Sequence, residues 1–245
     1  MKNPFDLSEK KILVTGASSG LGRQTAIALS HLGAELFLSA RNTKKLEETL
    51  EQLAGNNHTI IPCDLTIEAE IEHLTETLPP LNGTVFSAGI SQIVPAGFIT
   101  KSDLDKNMSI GFDSAVFLFS RLIRRKKLVK DHCSIVFISS ISTSYPFVGG
   151  ALYVSAKAAL EGYARVLAIE LAPKGIRVNC VAPAFVHGPM LDQTQKTTSE
   201  ETIKKIEEKQ PLGLGKPEDV ANTIAFFLSD ASRWISGSRL ILGGG

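Results

Sequence analysis

Three side chains, Ser140, Tyr153 and Lys157, have the types and spacing that proton transfer to or from an oxygen atom requires. Tyr153 and Lys157 are four positions apart, so a helix places them on one face. There the lysine ammonium can lower the pKa of the phenol, which is about 10 for an unperturbed tyrosine. A serine hydroxyl at a strand end can bind the oxygen on which charge develops. Such a pair also occurs on helices without a catalytic role, so a second feature must decide.

That second feature is a glycine-rich turn at residues 16–22, which follows an apolar stretch and precedes an amphipathic helical pattern. A strand, such a turn and a helix N-terminus direct backbone N–H groups and a helix dipole towards an anion, here the pyrophosphate of a dinucleotide. Glycine also occurs in tight turns for conformational reasons alone. The order of elements favours binding by Gly16, Ser18, Ser19, Gly20, Leu21 and Gly22.

Apolar stretches alternate with helical patterns along the chain. Strands are predicted at Ile12–Val14, Glu35–Leu38, Thr59–Pro62, Gly83–Phe86, Ser134–Ile138, Arg177–Val181 and Arg239–Leu242. Helices are predicted at Leu21–His31, Lys44–Leu53, Ile67–Thr77, Asp103–Lys127, Leu152–Leu171 and Pro217–Leu228. This alternation predicts a single α/β domain with a doubly wound parallel sheet of about seven strands and helices on both faces. Ligands of such sheets bind beyond the carboxyl ends of the strands.

Further motifs occur in order over nearly the whole chain: Thr15-Gly16-Ala17-Ser18-Ser19-Gly20-Leu21-Gly22, Cys63-Asp64-Leu65, Ser87-Ala88-Gly89, Ser139-Ser140, Tyr153-x-x-x-Lys157, Ile176-Arg177-Val178-Asn179, Pro183, Pro217-Glu218-Asp219-Val220, Ile235-Ser236-Gly237 and Gly243-Gly244. With them the chain resembles the short-chain dehydrogenase/reductase family, and within it the beta-ketoacyl-acyl-carrier-protein (3-oxoacyl-ACP) reductases. The resemblance implies a Rossmann-type NAD(P)-binding domain over residues 1–245 and a homotetramer, with a dimer as second choice.

The resemblance also implies roles for individual residues. Tyr153 would protonate the substrate oxygen, Ser140 would hold that oxygen, and Lys157 would lower the Tyr153 pKa and bind the nicotinamide ribose. The remaining cofactor contacts that it implies are Asp64 at the adenine, Leu65, Ala88, Gly89, Pro183 and Val186. Asp64 can alternatively cap the helix that begins near Ile67. Residues 185–209, rich in Thr, Gln, Lys and Glu, are interpreted as a mobile lid over the substrate.

The end of the second predicted strand indicates which dinucleotide binds. An acidic residue there would accept hydrogen bonds from the adenosine ribose of NAD(H), but this chain has Ala40 and Arg41. The planar guanidinium of Arg41 suits a 2′-phosphate, so NADP(H) is the expected cofactor. Arg41 can otherwise be only the polar start of the next helix.

Several positions depart from the family pattern. Phe86-Ser87 stands where two asparagines are common, Ala184 replaces a glycine, and His187-Gly188 replaces a threonine. Gly111 aligns with an asparagine that anchors a water relay to the lysine in the family, unless Asn107 fills that role. We expect asparagine at position 111 to restore the relay and to stabilise the helix slightly.

Composition and charge exclude several classes of protein. A net charge of +1 gives no field that would favour nucleic acid or an anionic membrane. Three separated cysteines form neither a disulfide framework nor a metal site. No apolar signal core or membrane-length stretch is present in the sequence, so we expect a cytoplasmic protein. A basic run is either a solvated helix end or a docking patch for an acidic carrier protein: Arg121, Arg124, Arg125, Lys126, Lys127 and Lys130.

The expected function is NADPH-dependent reduction of a carbonyl to an alcohol, with a 3-oxoacyl thioester of fatty acid synthesis as substrate. One alternative is an alcohol or sugar dehydrogenase of the same fold. The other is a non-catalytic dinucleotide-binding protein, which the departures at Gly111 and elsewhere favour and the intact serine, tyrosine and lysine oppose.

Overall fold

The computed structural model describes residues 3–192, 208 and 210–243. Seven parallel strands form one sheet in the order β3-β2-β1-β4-β5-β6-β7. Their bounds are β1 Lys11–Thr15, β2 Glu35–Ser39, β3 Thr59–Ile60, β4 Gly83–Phe86, β5 Cys133–Ile138, β6 Ile176–Pro183 and β7 Arg239–Leu242. The predicted fold class is therefore confirmed.

Helices cover both faces of the sheet. The longer helices are α1 Gly20–His31, α2 Thr43–Leu50, α3 Glu68–Thr77, α4 Lys101–Met108, α5 Ser114–Arg124, α6 Ala151–Leu171 and α7 Pro217–Leu228. Successive strand residues point to opposite faces, so Leu13 packs with residues of α3, α5 and α6, while Ile12 and Val14 pack with residues of α1, α2 and α7. Burying both faces explains why these strands are apolar at every position rather than at alternate ones.

The prediction of one continuous helix over Asp103–Lys127 is wrong. The structure has α4, then a single π-helical stretch at Ser109–Asp113, then α5. Gly111 lies in that stretch, where an added Cβ would be 3.0 Å from the Cβ of Ala156 in α6. The extra residue of a π turn and the missing side chain let α6 approach closely. α4 begins earlier than predicted because Thr100 and Asp103 form a capping box.

The carboxyl ends of the central strands meet along one edge. Thr15 of β1 is paired with Phe86 of β4, and Phe86 is paired with Phe137 of β5. The chain turns away in opposite directions from β1 and β4, so a crevice forms between them. The Phe86 ring, at one of the positions where the family pattern is broken, stacks on Phe137 with centroids 4.6 Å apart. Phenylalanine at position 86, where the family commonly has asparagine, therefore contributes to packing of the hydrophobic core.

Candidate active site

The three residues predicted to be catalytic lie together at this edge. Ser140 follows β5 directly, and Tyr153 and Lys157 occupy successive turns of α6. The Lys157 ammonium is 5.9 Å from the centroid of the Tyr153 ring and donates a 2.8 Å hydrogen bond to the carbonyl oxygen of Ile138. That bond joins α6, which carries Tyr153 and Lys157, to the end of β5 two residues before Ser140.

Ser140 is held by a short 3₁₀ turn, Ile141–Thr143. Its hydroxyl oxygen accepts the Ser142 N–H at 3.2 Å and lies 2.9 Å from the Ser142 hydroxyl. Burial raises the pKa of Tyr153, and the nearby Ser140 hydroxyl only partly opposes this shift. The expectation that Lys157 lowers the Tyr153 pKa below its usual value is therefore wrong for the free protein, because desolvation of the phenol outweighs it. The phenol therefore keeps its proton at neutral pH, which a proton donor requires.

The Lys157 ammonium is almost fully buried, with 6% of the residue exposed. Burial lowers the pKa of Lys157 to about 8, although the nearby Glu161 carboxylate acts in the opposite direction. The ammonium is thus mostly charged at neutral pH. Gly89, in the turn after β4, leaves room beside it, because a Cβ at that position would lie 3.4 Å from Nζ.

The glycine-rich turn packs so tightly against its surroundings that two glycines cannot be replaced without movement. Gly16 has a φ of +67°, and an added Cβ would lie 2.9 Å from the Ala88 nitrogen. A Cβ on Gly22 would lie 2.3 Å from the Gly16 carbonyl oxygen. Ser19, the N-cap of α1, makes no side-chain bond to the helix. The first-turn N–H groups are therefore not capped by that side chain, and the cradle fits the pyrophosphate of a dinucleotide.

Two residues that support this turn were not found by sequence reasoning. The Thr49 hydroxyl donates to the Ala17 carbonyl at 3.0 Å, and Arg23 Nη2 donates to the Ser18 carbonyl at 2.7 Å. Arg23 Nε also donates to the Thr49 hydroxyl at 2.9 Å. Both side chains contact main-chain carbonyls, which any residue type offers, so no local sequence signal marks them.

Arg41 and Asp64, at the ends of neighbouring strand segments, face each other. Arg41 Nη1 is 3.9 Å from Asp64 Oδ2, and the Arg41 side chain is 66% exposed. Burial alone would raise the pKa of Asp64, but hydrogen bonds from the Thr66 N–H and hydroxyl, together with Arg41, outweigh it and lower that pKa. Asp64 therefore stabilises the turn before α3 rather than capping its first N–H groups, since Ile67 is the N-cap.

The other predicted cofactor residues lie near the same edge. Leu65 packs partly against the core, Ala88 adjoins Gly16, and Pro183 ends β6. Val186 forms a β-bridge with Gly215. The two hydrogen bonds of this bridge are made by the Phe185 carbonyl and the His187 N–H, so they do not occupy the Val186 main-chain N–H. Most of the predicted lid, residues 185–209, lies outside the part of the chain that the structure describes, namely residues 193–207 and 209.

The two residues considered for the water relay do not bring an amide to Lys157. Gly111 adjoins Ala156, the neighbour of Lys157, but has no side chain. The Asn107 amide nitrogen donates to Gln92 Oε1 at 2.8 Å and to the Asp103 carbonyl at 3.0 Å, which ties α4 to the loop after β4. The structure argues against the expected stabilisation by asparagine at position 111, because the added Cβ would lie 3.0 Å from the Ala156 Cβ and Ala156 would have to move.

Half of the basic run at the end of α5 and just after it is engaged within the protein. Arg121 binds Glu68 and Glu72, and Arg125 binds Glu72 at 2.5 Å and Glu76 at 2.9 Å. The Lys127 ammonium donates to carbonyls at the end of α3. Arg124, Lys126 and Lys130 are exposed. Half of the run is therefore a structural connection between α3 and α5, which weakens its interpretation as a carrier docking patch.

Comparison with known proteins agrees with this geometry. Residues 16–245 match a family model described as enoyl-(acyl carrier protein) reductase. The chain is 36% identical over 242 residues to a 3-oxoacyl-[acyl-carrier-protein] reductase of Rickettsia felis, covering 98% of both chains. The chain belongs to the short-chain dehydrogenase/reductase family. Members of this family bind a nicotinamide dinucleotide, and the protein is an oxidoreductase.

Other short-chain dehydrogenases/reductases are similar over the whole length. An L-xylulose reductase of Caenorhabditis elegans is 32% identical over 98% of this chain and 97% of its own. A solved glucose/ribitol dehydrogenase of Brucella melitensis is 30% identical with a TM-score of 0.90, covering 99% of this chain and 98% of the other. An Agrobacterium tumefaciens protein solved with bound NADP is 28% identical with a TM-score of 0.89, covering 100% and 98%.

Two further properties concern the described part of the chain. None of its helices is both long enough and apolar enough to cross a membrane. Within residues 3–192, 208 and 210–243, no cluster of histidine, cysteine and acidic side chains could hold a metal ion. The three cysteines, Cys63, Cys133 and Cys180, are buried, and burial raises the pKa of each thiol to about 12, so they are unreactive as nucleophiles.

Proposed function

We propose that this single-domain protein uses NADPH to reduce a carbonyl to an alcohol, and that its substrate is a 3-oxoacyl thioester. The observation that carries the proposal is the placement of Tyr153, Lys157 and Ser140 together at the edge of the glycine cradle, with the buried Lys157 ammonium 5.9 Å from the centroid of the Tyr153 ring. The 36% sequence identity to a 3-oxoacyl-[acyl-carrier-protein] reductase over 242 residues supports the substrate class.

Each catalytic side chain has one task in this reaction. Bound NADPH supplies the hydride. Tyr153 donates its proton to the carbonyl oxygen, and the Ser140 hydroxyl donates a hydrogen bond to the same oxygen. The Lys157 ammonium stabilises the phenolate that remains, and it binds the nicotinamide ribose. Burial raises the pKa of Tyr153, so the phenol carries the proton that it donates, and the nearby Lys157 ammonium offsets the cost of the phenolate as it forms.

The preference for NADPH rests on Arg41. An exposed ion pair contributes only about 0–1 kcal/mol, so the 3.9 Å contact with Asp64 leaves the guanidinium available to a 2′-phosphate. Lys44 and Lys45, in the first turn of α2, add positive charge near the same point, and both are exposed. The carboxylate that would accept hydrogen bonds from the NAD(H) ribose at position 40 or 41 is missing.

The apolar rim of the crevice favours an acyl chain over a sugar. The loop after β4 and the loop before α6 are joined by a 2.9 Å bond from the Val94 N–H to the Gly149 carbonyl. These two loops, which flank Tyr153 in the fold, expose apolar side chains at Ile93, Tyr145 and Val148. A polyol would leave its hydroxyl groups without partners on such a surface, whereas an acyl chain would bury it.

We also propose a homotetramer. Phe117 on α5 and Val166 and Ile169 on α6 are exposed, and both helices lie on the same face of the sheet. Burying such side chains between copies would stabilise an assembly. Light scattering after gel filtration would give four times the chain mass; a monomer at micromolar concentration would contradict this.

A substrate and cofactor panel tests the proposed function. The purified protein is mixed with NADPH or NADH and with 3-oxoacyl thioesters, simple ketones, xylulose or gluconate derivatives, and cofactor absorbance is followed. We expect the highest kcat/KM for a 3-oxoacyl thioester with NADPH. A sugar or sugar acid as the best substrate would instead assign the protein to the dehydrogenase alternative, and no turnover of any compound would overturn the proposal.

A further inference from the structure

A largely buried ion pair contacts the segment that carries Ser140. Arg239, on the edge strand β7, places Nε 2.6 Å from Glu161 Oε1, and only 22% and 11% of the two side chains are exposed. Glu161 follows Lys157 by one turn and Tyr153 by two turns of α6, so all three share one helix face. The pair therefore lies on the same side of α6 as the proposed catalytic residues.

Each of the three nitrogens of the Arg239 guanidinium contacts Glu161 or the segment that carries Ser140. Nη2 donates to the Ser140 carbonyl at 3.0 Å and to the Thr143 hydroxyl at 2.7 Å, and Nη1 donates to the Ser144 hydroxyl at 3.0 Å. The guanidinium is planar and its donors are fixed relative to one another, so these bonds hold the 3₁₀ turn in one orientation. That turn is what presents the Ser140 hydroxyl.

Glu161 contacts the same segment. Its Oε1 accepts hydrogen bonds from the Ser139 hydroxyl and, at 3.0 Å, from the Thr143 hydroxyl. The residues before and after Ser140 are thus both fastened to one carboxylate oxygen. The carboxylate also favours the charged form of Lys157, as described above.

Stability alone is a poor explanation for this arrangement. A buried ion pair loses hydration on folding, and apolar residues of similar size often stabilise a core as well or better. Here the polar contacts do not extend into the core but converge on residues 139–144. The contacts of Glu161 and Arg239 therefore fit a role in positioning the candidate active site better than a role in stabilising the fold.

We propose that Glu161 and Arg239 are positioning residues that fix the Ser139–Ser144 segment so that the Ser140 hydroxyl faces Tyr153 and the substrate oxygen. The inference rests on the proposed role of Ser140. Arg239 lies 99 residues from Ser140 in the sequence. The strand order brings the two residues together, because β7 adjoins β6 and β6 adjoins β5.

The test compares Glu161→Met/Arg239→Met with wild type. Removing both partners leaves neither member of the pair as an unpaired buried charge, so this variant should fold. Because Lys157 also loses a nearby carboxylate that favours its charged form, kcat is compared at pH 6, where the ammonium keeps its charge. We expect its kcat to fall at least tenfold while the NADPH dissociation constant, measured by cofactor fluorescence, changes less than threefold. Amide hydrogen exchange at residues 141–145 should accelerate at least tenfold. Arg239→Lys, which keeps the charge but not the planar fork, should be intermediate in both measurements.

Glu72→Met/Arg121→Met is the matched control, because it removes an Arg–Glu pair between α3 and α5, away from the site. It should leave kcat and exchange at residues 141–145 unchanged. A Glu161→Met/Arg239→Met protein with wild-type kcat, or with wild-type exchange at residues 141–145, would overturn the positioning role. If wild type itself turns over no substrate, the proposed function fails separately, and hydrogen exchange still decides whether the pair fixes the segment.

Discussion

The Lys157 ammonium donates a 2.8 Å hydrogen bond to the main-chain carbonyl of Ile138. This bond connects the helix that carries Tyr153 to the strand end that carries Ser140. An ammonium in an almost dry environment would normally be costly, and here its charge is balanced by one carbonyl dipole and the Glu161 carboxylate. The site therefore keeps a destabilising charge where the proposed reaction needs one, and this leads to two predictions about Lys157.

The first prediction concerns pH. The pKa of Lys157 in the free protein is about 8, so its positive charge is present below pH 8 and is lost above it. Because kcat/KM reports ionisations of the free enzyme, kcat/KM for carbonyl reduction should decline above about pH 8. The Tyr153 phenol, whose pKa is raised, stays protonated through that range. Initial rates between pH 6 and 10 would show this, and a flat profile up to about pH 10 would contradict it.

The second prediction concerns stability. The pKa of Lys157 falls from 10.5 to about 8 on folding, so between these values the unfolded chain binds more protons and stability rises with pH. Below pH 8 the full cost remains, on the order of 3 kcal/mol. Lys157→Met removes that cost but leaves the Ile138 carbonyl without its donor, a loss of about 1 kcal/mol. At pH 7 the variant should melt roughly 4 °C higher than wild type.

The same Lys157→Met protein should be severely impaired in turnover, and its advantage in melting temperature should shrink towards pH 10. Calorimetry at two pH values provides the measurement. A variant that melts below wild type at pH 7 would show that burial of the ammonium is not destabilising.

The third prediction concerns Gly111. Because a Cβ there would be 3.0 Å from the Ala156 Cβ, Gly111→Asn should lower the melting temperature rather than raise it. Gly162→Ala is the matched control: it is also a helical glycine, but a Cβ there meets nothing within 4 Å, so alanine should stabilise by about 0.5–1 kcal/mol. A higher melting temperature for Gly111→Asn, measured beside Gly162→Ala, would mean that α6 can move away at little cost.

The fourth prediction concerns cofactor choice. Arg41→Ala should weaken NADPH binding by roughly 10- to 100-fold and NADH binding far less, because a charge-assisted pair of hydrogen bonds to the 2′-phosphate is lost. Arg124→Ala, which removes an exposed cation at the end of α5, should affect neither cofactor. Fluorescence titration gives both constants, and equal losses for the two cofactors in Arg41→Ala would exclude the phosphate role.

Sequence reasoning succeeded where the signal is local. The spacing of Tyr153 and Lys157, the glycines of the turn at residues 16–22 and the order of strands and helices are all set by contacts within a few residues. Glycine at positions 16 and 22 is required by close packing, and that requirement is visible as a motif. Seven parallel strands followed from alternation and apolar character alone.

Sequence reasoning failed where partners are distant. Glu161 and Arg239 are separated by 78 residues, and neither stands in a motif that predicts a pair. Asp64 reaches Arg41 only because the two strand ends are adjacent in space. The π turn in the predicted helix Asp103–Lys127 depends on how closely α6 approaches, which periodicity does not encode. Such features are set by packing between elements, so they appear only once the elements are placed.

The most direct test of the proposed chemistry is Tyr153→Phe, assayed with NADPH and a 3-oxoacyl thioester. The variant keeps the ring and loses only the proton donor, so NADPH should bind as in wild type while kcat falls by at least ~100-fold. Tyr163→Phe, a change of the same kind further along α6 within the aromatic core, should keep wild-type kcat. Full turnover by Tyr153→Phe would contradict the assignment of Tyr153 as the acid.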